Sequence, residues 1–167
     1  CMTVTGIGFD GKVAEVNQGA KYKNWLNRMR LGGLSYVLSL LQVLLNYRPV
    51  NVEITVDGKA FSFLDAWLIA IANTSSYGGG IKICPDARHD DGLFDICVVH
   101  DLSKWELIRT FPKTYTGRHV THPSVTMLKG ENVEVTAESP LIVQSDGEIL
   151  ARTPVKVTIR REALWVI

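Results

Sequence analysis

The chain has 167 residues, 46% hydrophobic and 21% charged, with a formal net charge of +1, which fits one globular domain with its own core. It lacks the basic excess of nucleic-acid-binding domains, so we expect no nucleic-acid partner. Its longest apolar stretch falls short of the ~20 residues that a membrane-spanning helix needs.

The three cysteines, Cys1, Cys84 and Cys97, are odd in number and form no CxxC pair. They therefore predict neither a disulfide framework nor a zinc site, and they favour the cytoplasm. Cys97 lies in an apolar run and is predicted to be a small buried hydrophobe. The basic cluster within Lys21–Arg30 is either a solvated face or a contact with anionic lipid head groups, so peripheral contact at the inner face of the membrane stays open.

The first third of the chain predicts one strand followed by helices. Residues 2–8 are β-branched and alternate, as in a strand. Asp10-Gly11 is a turn signal, and a short helix is predicted over Lys12–Gln18. Apolar residues at three- and four-residue spacing over Asn24–Asn46 predict a helix that Gly32-Gly33 divides into two pieces.

A β-hairpin follows this helical region. Val50–Val56 and Lys59–Phe63 are its predicted strands, and Asp57-Gly58 is a two-residue turn of the primed type. The continuous apolar run Ala66–Ala72 predicts a strand that is buried on both faces.

The rest of the chain predicts short strands and one helix. Ser103 is the predicted N-cap of this helix, Glu106 completes a capping box, and the helix ends near Thr110. Such a pattern without βαβα alternation predicts a mainly β (α+β) fold, a β-sandwich of short, mostly antiparallel strands with two or three helices. The strand segments are Leu93–Val99, Val125–Met127, Asn132–Thr136, Leu141–Gln144, Val155–Arg160 and Leu164–Ile167, with turns at Lys129-Gly130 and Asp146-Gly147.

Three segments could carry chemistry. The glycine-rich stretch Asn73–Gly80 is either a loop against a ligand or second domain, or a sharp turn, and it is not a Walker A loop. Four aspartates within residues 86–95 could hold Mg²⁺ or Ca²⁺, although local chemistry favours an acidic surface turn. Asp146-Gly147-Glu148 is either a plain hairpin turn or the site of a general base.

Taken in order, the segments GIGFDG (6–11), IANTSSYGGGIKICPDARHDDGLFD (71–95), TFPKTYTGRHVTHP (110–123) and DGE (146–148) closely resemble the C-terminal domain of the bacterial diacylglycerol-kinase-like lipid kinases. That family is related to sphingosine and ceramide kinases and, more distantly, to NAD kinases. The resemblance covers nearly the whole chain. It implies one domain over residues 1–167, the C-terminal domain of a two-domain lipid kinase, whose N-terminal GGDGT-type ATP-binding domain is absent from these residues.

The resemblance also implies roles for particular residues. Glu148 corresponds to the family's proton acceptor, and Asp146 to its partner or to a holder of the nucleotide-bound Mg²⁺. Asp91, with the backbone carbonyls of Arg88 and Leu93, corresponds to a second Mg²⁺ site. Asp10 corresponds to a position that faces the lipid head group. Further candidates for the cleft between the two domains are Asn73, Gly78, Gly79, Gly80 and His119.

The activity implied is transfer of the γ-phosphoryl group of ATP to the hydroxyl of a diacylglycerol-like lipid at the membrane surface, with Mg²⁺. ATP would be bound mainly by the absent domain, so this chain alone is expected to be inactive. The alternatives are a kinase of a soluble alcohol or nucleotide and a non-catalytic lipid-binding module. Exposed strand edges also allow a homodimer.

Overall fold

The computed structural model describes residues 3–19, 32–77 and 79–160 of the chain. Its helices are α1 Phe9–Gly19, α2 Gly32–Asn46 and α3 Lys104–Thr110, with 3-10 helices over Phe111–Thr116 and Arg118–Thr121. Its strands are β1 Val4–Gly8, β2 Val50–Val56, β3 Lys59–Ala66, β4 Leu68–Ala72, β5 Phe94–Val99, β6 Val125–Gly130, β7 Asn132–Ala137, β8 Ile142–Ser145, β9 Glu148–Arg152 and β10 Val155–Thr158.

Within the described residues the strands form two sheets with antiparallel pairing throughout. One has six strands in the order β6-β5-β4-β1-β8-β9, and the other has four in the order β10-β7-β2-β3. One core cluster lies between the two sheets, and a second joins the outer face of the six-stranded sheet to α1 and α2. The predicted antiparallel sandwich with a few helices is therefore confirmed.

The central strands are apolar on both sides because each of their faces is covered. In β4, Ile69 and Ile71 belong to the cluster between the sheets, whereas Ala70 and Ala72 belong to the cluster under the helices. All four are 1% exposed or less. Such burial explains the continuous apolar run that predicted this strand. Cys97, on the neighbouring β5, is fully buried as expected.

Two local signals work as predicted. Asp57 and Gly58 take positive φ angles of 48° and 84° in the turn between β2 and β3, as a primed turn requires. Ser103 caps α3: its hydroxyl accepts from the Glu106 N–H, and the Glu106 carboxylate accepts from the Ser103 N–H at 2.8 Å. This reciprocal pair is the capping box.

Other predicted boundaries were wrong. Asp10 and Gly11 are not a turn but belong to the first turn of α1, which begins at Phe9. Lys129 and Gly130 are not a turn but the last two residues of β6. The missing side chain at Gly130 lets β6 approach Val56 of the other sheet, because a Cβ at Gly130 would lie 2.3 Å from Val56 Cγ1.

Three further differences concern strand extents. Ala66 ends β3, and the buried strand β4 begins only at Leu68. The edge strand β9 was not predicted, because its five residues are all exposed and do not alternate. The predicted strand Leu164–Ile167 and the first piece of the helix over residues 24–31 lie outside the described residues. No helix among the described residues is long and apolar enough to cross a membrane.

The close packing of α1 on β8 depends on Gly11, and this contact gives a stability prediction. A Cβ at Gly11 would lie 2.4 Å from the Ile142 carbonyl oxygen of β8, whereas a Cβ at Gly19 of the same helix would meet nothing within 4 Å. We expect Gly11→Ala to destabilise the domain by about 1–3 kcal/mol through overpacking. Gly19→Ala should be neutral or stabilise by up to about 1 kcal/mol. Chemical denaturation of both variants measures this, and equal effects would contradict the assigned contact.

Candidate acidic site at the sheet end

Strand pairing brings most of the predicted site residues to one end of the six-stranded sheet. Because β4 and β8 both run antiparallel to β1, their carboxyl ends lie beside its amino end. The register joins Val4 to Ala72, Thr5 to Ser145, and Ala72 to Asp95. We call this region the acidic end; it contains Asn73, Asp91, Asp95, Asp146 and Glu148.

The turn between β8 and β9 presents the two carboxylates of the DGE motif. Asp146 and Gly147 both take positive φ angles, 51° and 90°. The Asp146 carboxylate accepts from the Thr3 hydroxyl and, at 3.4 Å, from the Val4 N–H, so it is tied to the start of β1. The Glu148 side chain is exposed and has no hydrogen-bond or ion-pair partner within the described residues. Glu148 is therefore available to a group arriving from outside.

Asp10 lies beneath this turn and is connected to it through Gln144. The Gln144 Nε2 atom donates to the Asp10 carboxylate at 2.5 Å, and the Gln144 Oε1 atom accepts from the Gly147 N–H at 2.9 Å. A side-chain hydrogen bond also joins Tyr77 to Asp10. The side chains of Asp10, Gln144 and Tyr77 therefore connect the GFDG, YGGG and DGE segments, which lie up to 140 positions apart along the chain.

The environment of Asp10 is dominated by its burial. Desolvation raises the pKa of its carboxyl, and the hydrogen bonds from Gln144 and Tyr77 offset part of that rise. Gly6 makes the placement sterically feasible, because a Cβ at this position would lie 2.1 Å from the Asp10 Oδ2 atom. Asp10 is thus a positioned carboxyl that ionises reluctantly.

The acidic turn over residues 86–95 is held by a lysine. The Lys129 ammonium lies 2.9 Å from Asp91 Oδ2 and 3.4 Å from Asp95 Oδ2, so it pairs with both carboxylates. The hydrogen bond from Lys129 lowers the pKa of Asp91, whereas burial raises the pKa of Asp95. The other Asp91 oxygen accepts from the Leu93 N–H at 3.0 Å.

A divalent ion in this turn would compete with Lys129. The carboxylate of Asp91 and the backbone carbonyls of Arg88 and Leu93 are hard oxygen donors of the type that Mg²⁺ takes, so their chemistry fits. No group of three or more His, Cys, Asp or Glu side chains within the described residues is placed to hold a metal. The ion would therefore depend on backbone oxygens and would have to displace the ammonium.

The glycine-rich loop forms a tight turn in its described part. Tyr77 and Ile81 exchange backbone hydrogen bonds of 3.0 Å, and Gly79 and Gly80 take φ angles of 82° and 96°. Gly78 lies outside the described residues. Nothing lies within 4 Å of a Cβ built on Gly79 or Gly80, so the positive φ angles rather than close packing require glycine there.

Asn73 lies where β4 reaches the acidic end. Its N–H donates to the Thr3 carbonyl at 2.8 Å, and its buried Oδ1 atom has no hydrogen-bond partner within the described residues. Asn73 and Asp146 therefore both contact Thr3. An unpaired buried amide oxygen at this position is available to a donor that the described residues do not supply.

His119 lies away from the acidic end, in the interior. It is 1% exposed, its Nε2 atom donates to the Ile83 carbonyl at 3.0 Å, and burial lowers its pKa. Its Nδ1 atom has no partner within the described residues. A cavity of about 180 Å³ lies beside it, between α2, α3 and the sheet. Besides His119, the walls of this cavity include Phe9, Trp67, Leu44 and the polar residues Asp10 and Tyr77.

Three residues of this site were not singled out from the sequence. Gln144 is a polar residue inside the apolar strand β8, and this irregularity was its only signal. The Lys129-Gly130 pair predicts a turn, and Tyr77 lies in a loop that stands out by its glycines. Their contacts depend on long-range pairing, which local sequence patterns do not encode.

Comparison with known proteins supports the architecture described above. Residues 4–167 match the family model described as "YegS C-terminal NAD kinase beta sandwich-like domain". The chain is 34% identical over 166 residues to a diacylglycerol kinase of Mycobacterium tuberculosis (strain ATCC 25618 / H37Rv), covering 99% of this chain and 51% of that protein. It is 32% identical over 118 residues to a diacylglycerol kinase of Bacillus subtilis (strain 168), covering 71% and 39%.

A solved structure supports the same fold. The crystal structure of a diacylglycerol kinase from Bacillus anthracis strain Sterne superimposes with a TM-score of 0.60 at 21% identity, covering 96% of this chain and 46% of that one. At this identity the likeness concerns the fold alone. This chain spans about half the length, or less, of the relatives that it matches.

The burial of Asp10 predicts a distinct pH dependence of stability. Because its folded pKa is raised, the stability it contributes is present below its ordinary pKa of 3.8 and is lost as the pH rises through the folded value. The free energy of unfolding of the wild type minus that of Asp10→Asn should therefore fall as the pH rises from acid towards neutral. Denaturant titrations over a pH series measure this difference.

The matched control is Asp57→Asn. Backbone hydrogen bonds from Asn132 and Glu131 lower the pKa of exposed Asp57, so its contribution is present above pH 3.8 and is lost as the pH falls. The free energy of unfolding of the wild type minus that of Asp57→Asn should therefore rise with pH. A flat or rising profile for Asp10 would contradict its assigned environment.

Proposed function

Because this chain belongs to the family of YegS C-terminal NAD kinase beta sandwich-like domains, we propose that it is the acceptor-side domain of an ATP- and Mg²⁺-dependent kinase that phosphorylates a diacylglycerol-like lipid. The observation that carries the proposal is the connection of the exposed DGE turn to buried Asp10 at the wall of an apolar cavity. A lipid hydroxyl held near Asp10 would thus lie close to the DGE turn, whose Glu148 carboxylate could accept its proton.

Glu148 is the proposed proton acceptor. Its carboxylate is exposed and has no competing partner in the described residues, whereas Asp146 is tied to Thr3 and Val4. Glu148 would take the lipid hydroxyl proton as the oxygen attacks the γ-phosphorus in line. Asp146 would orient the turn or help to hold the nucleotide's Mg²⁺, which neutralises phosphate charge.

The cavity favours a lipid over a soluble alcohol or a nucleotide. Its walls are mainly apolar, and its polar side chains include Asp10, Tyr77 and His119. A hydrocarbon chain gains free energy by leaving water for such walls, whereas a nucleotide would need more polar partners. Asp10, whose raised pKa favours the neutral acid, would hydrogen-bond the lipid's polar head.

The rest of the catalytic centre would be supplied by the other half of the protein. ATP would bind mainly there, opposite the acidic end, and Asn73 and the loop with Gly79 and Gly80 would line the cleft between the halves. The enzyme would act from the cytoplasm at the inner face of the membrane, where its acceptor lies. The isolated chain is therefore expected to turn over no ATP.

We also propose that Asp91, with the carbonyls of Arg88 and Leu93, can hold a structural Mg²⁺. Such an ion would tie the oxygens of the acidic turn together. Since the Lys129 ammonium already lies at Asp91 and Asp95, it would compete with the ion for the same carboxylates. The strength of Mg²⁺ binding would then be set by Lys129.

This competition can be measured by thermal unfolding with and without Mg²⁺. We expect Mg²⁺ to raise the melting temperature of Lys129→Met more than that of the wild type, because ligand binding to the folded state stabilises it. Adding Asp91→Asn to Lys129→Met should abolish that gain. An equal Mg²⁺ response in all three proteins would show that the ion does not bind at this turn.

The kinase proposal is tested with the full-length protein, including its upstream domain. Labelled ATP, Mg²⁺ and a panel of lipids and soluble alcohols are supplied to the wild type, Glu148→Gln and the control Glu53→Gln, an exposed glutamate on β2. We expect a lipid to be labelled, Glu148→Gln to lose about a hundredfold or more in kcat, and Glu53→Gln to match the wild type.

Other outcomes would redirect the proposal. Equal activity of the wild type and Glu148→Gln would place the base elsewhere. Labelling of only a soluble alcohol would refute the lipid substrate, and phosphorylation by the isolated 167-residue chain would refute the division of the active site between two halves.

A further inference from the structure

A second cavity lies at the end of the six-stranded sheet opposite to the acidic end. Its lining includes Gly8, the last residue of β1, and Ile142, the first residue of β8. Residues of α1, of the end of α2, of the start of β2 and of the end of β9 contribute to its walls. The cavity has a volume of about 430 Å³, which is within the range of small-molecule sites in proteins. We call it the basic cavity.

Positive charge surrounds the basic cavity. Lys12, Arg48 and Arg152 line it, and none of its lining residues within the described part of the chain is an aspartate or glutamate. One neighbouring carboxylate, Glu15, forms ion pairs with Lys12 and, at 3.4 Å, with Arg152. Arg48 has no ion pair within residues 3–19, 32–77 and 79–160. The three cations and Glu15 together carry a formal charge of +2.

Tyr47 contributes a buried hydrogen-bond donor to the same cavity. Its hydroxyl has no hydrogen-bond partner among the described residues. The hydroxyl lies over Gly8, because a Cβ at Gly8 would be 2.8 Å from the Tyr47 oxygen. Burial raises the pKa of the phenol, so the hydroxyl keeps its proton at neutral pH. A buried donor without an acceptor costs free energy, so an acceptor atom brought by a ligand would stabilise this side chain.

Part of the cavity wall is apolar. Val43, Leu141 and Ile142 line it, and each is 8% exposed or less. An inorganic ion would leave this wall uncovered, whereas an apolar group would gain free energy by contact with it. Cations beside an apolar wall therefore favour a ligand that has both an anionic and an apolar group.

We propose that the basic cavity binds a small soluble phosphomonoester whose phosphate is attached to an apolar group. Such a phosphate carries a charge of about −1.5 to −2 at neutral pH, which complements the charge of +2 around the cavity. A carboxylate or a sulfate ester, with one charge, would balance only half of it. The planar guanidinium of Arg48 suits two parallel hydrogen bonds to phosphate oxygens. The Tyr47 hydroxyl would donate to a further ligand oxygen, and the apolar group would lie against Val43 and Leu141.

The basic cavity is separate from the cavity assigned above to the lipid acceptor. The two share no lining residue within the described part of the chain. Tyr47 lies between them: its ring packs against Phe9 and Trp67, at centroid distances of 5.5 and 5.7 Å, and both of these residues line the lipid cavity. The inference goes beyond the proposed function, because no step of phosphoryl transfer uses the basic cavity.

The test is a titration of the isotope-labelled 167-residue chain, followed by its backbone amide signals. The probes are phenyl phosphate, inorganic phosphate, phenol and the monoanion phenyl sulfate. We expect phenyl phosphate to shift the signals of Gly8 and Ile142 and to leave that of Gly147 at the acidic end unchanged. Each of the other three probes lacks the apolar group, the anion or the second charge, so each should bind about tenfold more weakly or less.

A charge variant with a matched control tests the role of Arg48. We expect Arg48→Gln to weaken phenyl phosphate binding about tenfold, because it removes a charge-assisted hydrogen bond. Arg109→Gln changes an exposed arginine on α3 that also has no ion pair within the described residues, and it should bind as the wild type does. Thermal unfolding checks that both variants are folded.

Tyr47→Phe distinguishes a ligand-binding role from a structural one. It keeps the ring packing and removes a buried donor that has no partner within the described residues. The melting temperature should therefore stay unchanged or rise, while binding of phenyl phosphate should weaken about threefold to tenfold. A lower melting temperature with unchanged binding would show that the hydroxyl serves the fold alone.

Several results would overturn the inference: no shift at Gly8 and Ile142, equal affinity for phenyl phosphate and phenyl sulfate, or equal losses in Arg48→Gln and Arg109→Gln. Dihexanoyl phosphatidate, a soluble phosphate-bearing lipid, is titrated in the same way. Tighter binding of this lipid than of phenyl phosphate would assign the cavity to a lipid and contradict the proposed soluble ester. Since the titrations use no ATP and no acceptor, they can succeed where the kinase proposal fails, and the reverse.

Discussion

The hydrogen-bonded pairing of β1 with β4 on one side and β8 on the other determines where the acidic residues lie. Both partners run antiparallel to β1, so their carboxyl ends, with Asn73 and Asp146, meet at its amino end. The glycines of β1 and α1 then let the rest of the site form. Gly6 leaves space for the Asp10 carboxylate over the strand, and Gly11 lets α1 approach the backbone of β8.

The same arrangement gives chemically similar groups different properties. Asp10 is buried, with a raised pKa and two side-chain partners, which suits a group that positions a ligand. Asp91 is paired with Lys129, which lowers its pKa, and serves the local structure of the acidic turn. Glu148 is exposed and unpaired within the described residues, which suits a group that exchanges a proton with an incoming substrate. These differences in environment follow from desolvation and pairing rather than from residue type.

Much of the fold could be predicted because local signals determine it. The Asp57-Gly58 turn, the Ser103 and Glu106 capping box and the apolar run of β4 each behave as their residues dictate. Predictions failed where a distant contact decides the outcome, as at Gly130, whose neighbour is Val56 of the other sheet. The site followed a similar division: its carboxylates were found from motifs, but the link through Gln144 depends on strand register, which is a property of the whole sheet.

If the acidic end faces the nucleotide of a complete kinase, as proposed above, a paramagnetic ion bound with the nucleotide will broaden the signals of this end. The most direct measurement is paramagnetic broadening of backbone amide signals in the isotope-labelled full-length protein after addition of ATP with Mn²⁺ in place of Mg²⁺. We expect selective broadening at Gly147, and sharp signals at Asp101 and Ser124 at the other end of the sheet. Broadening centred on Asp101 and Ser124, or none at Gly147, would contradict it.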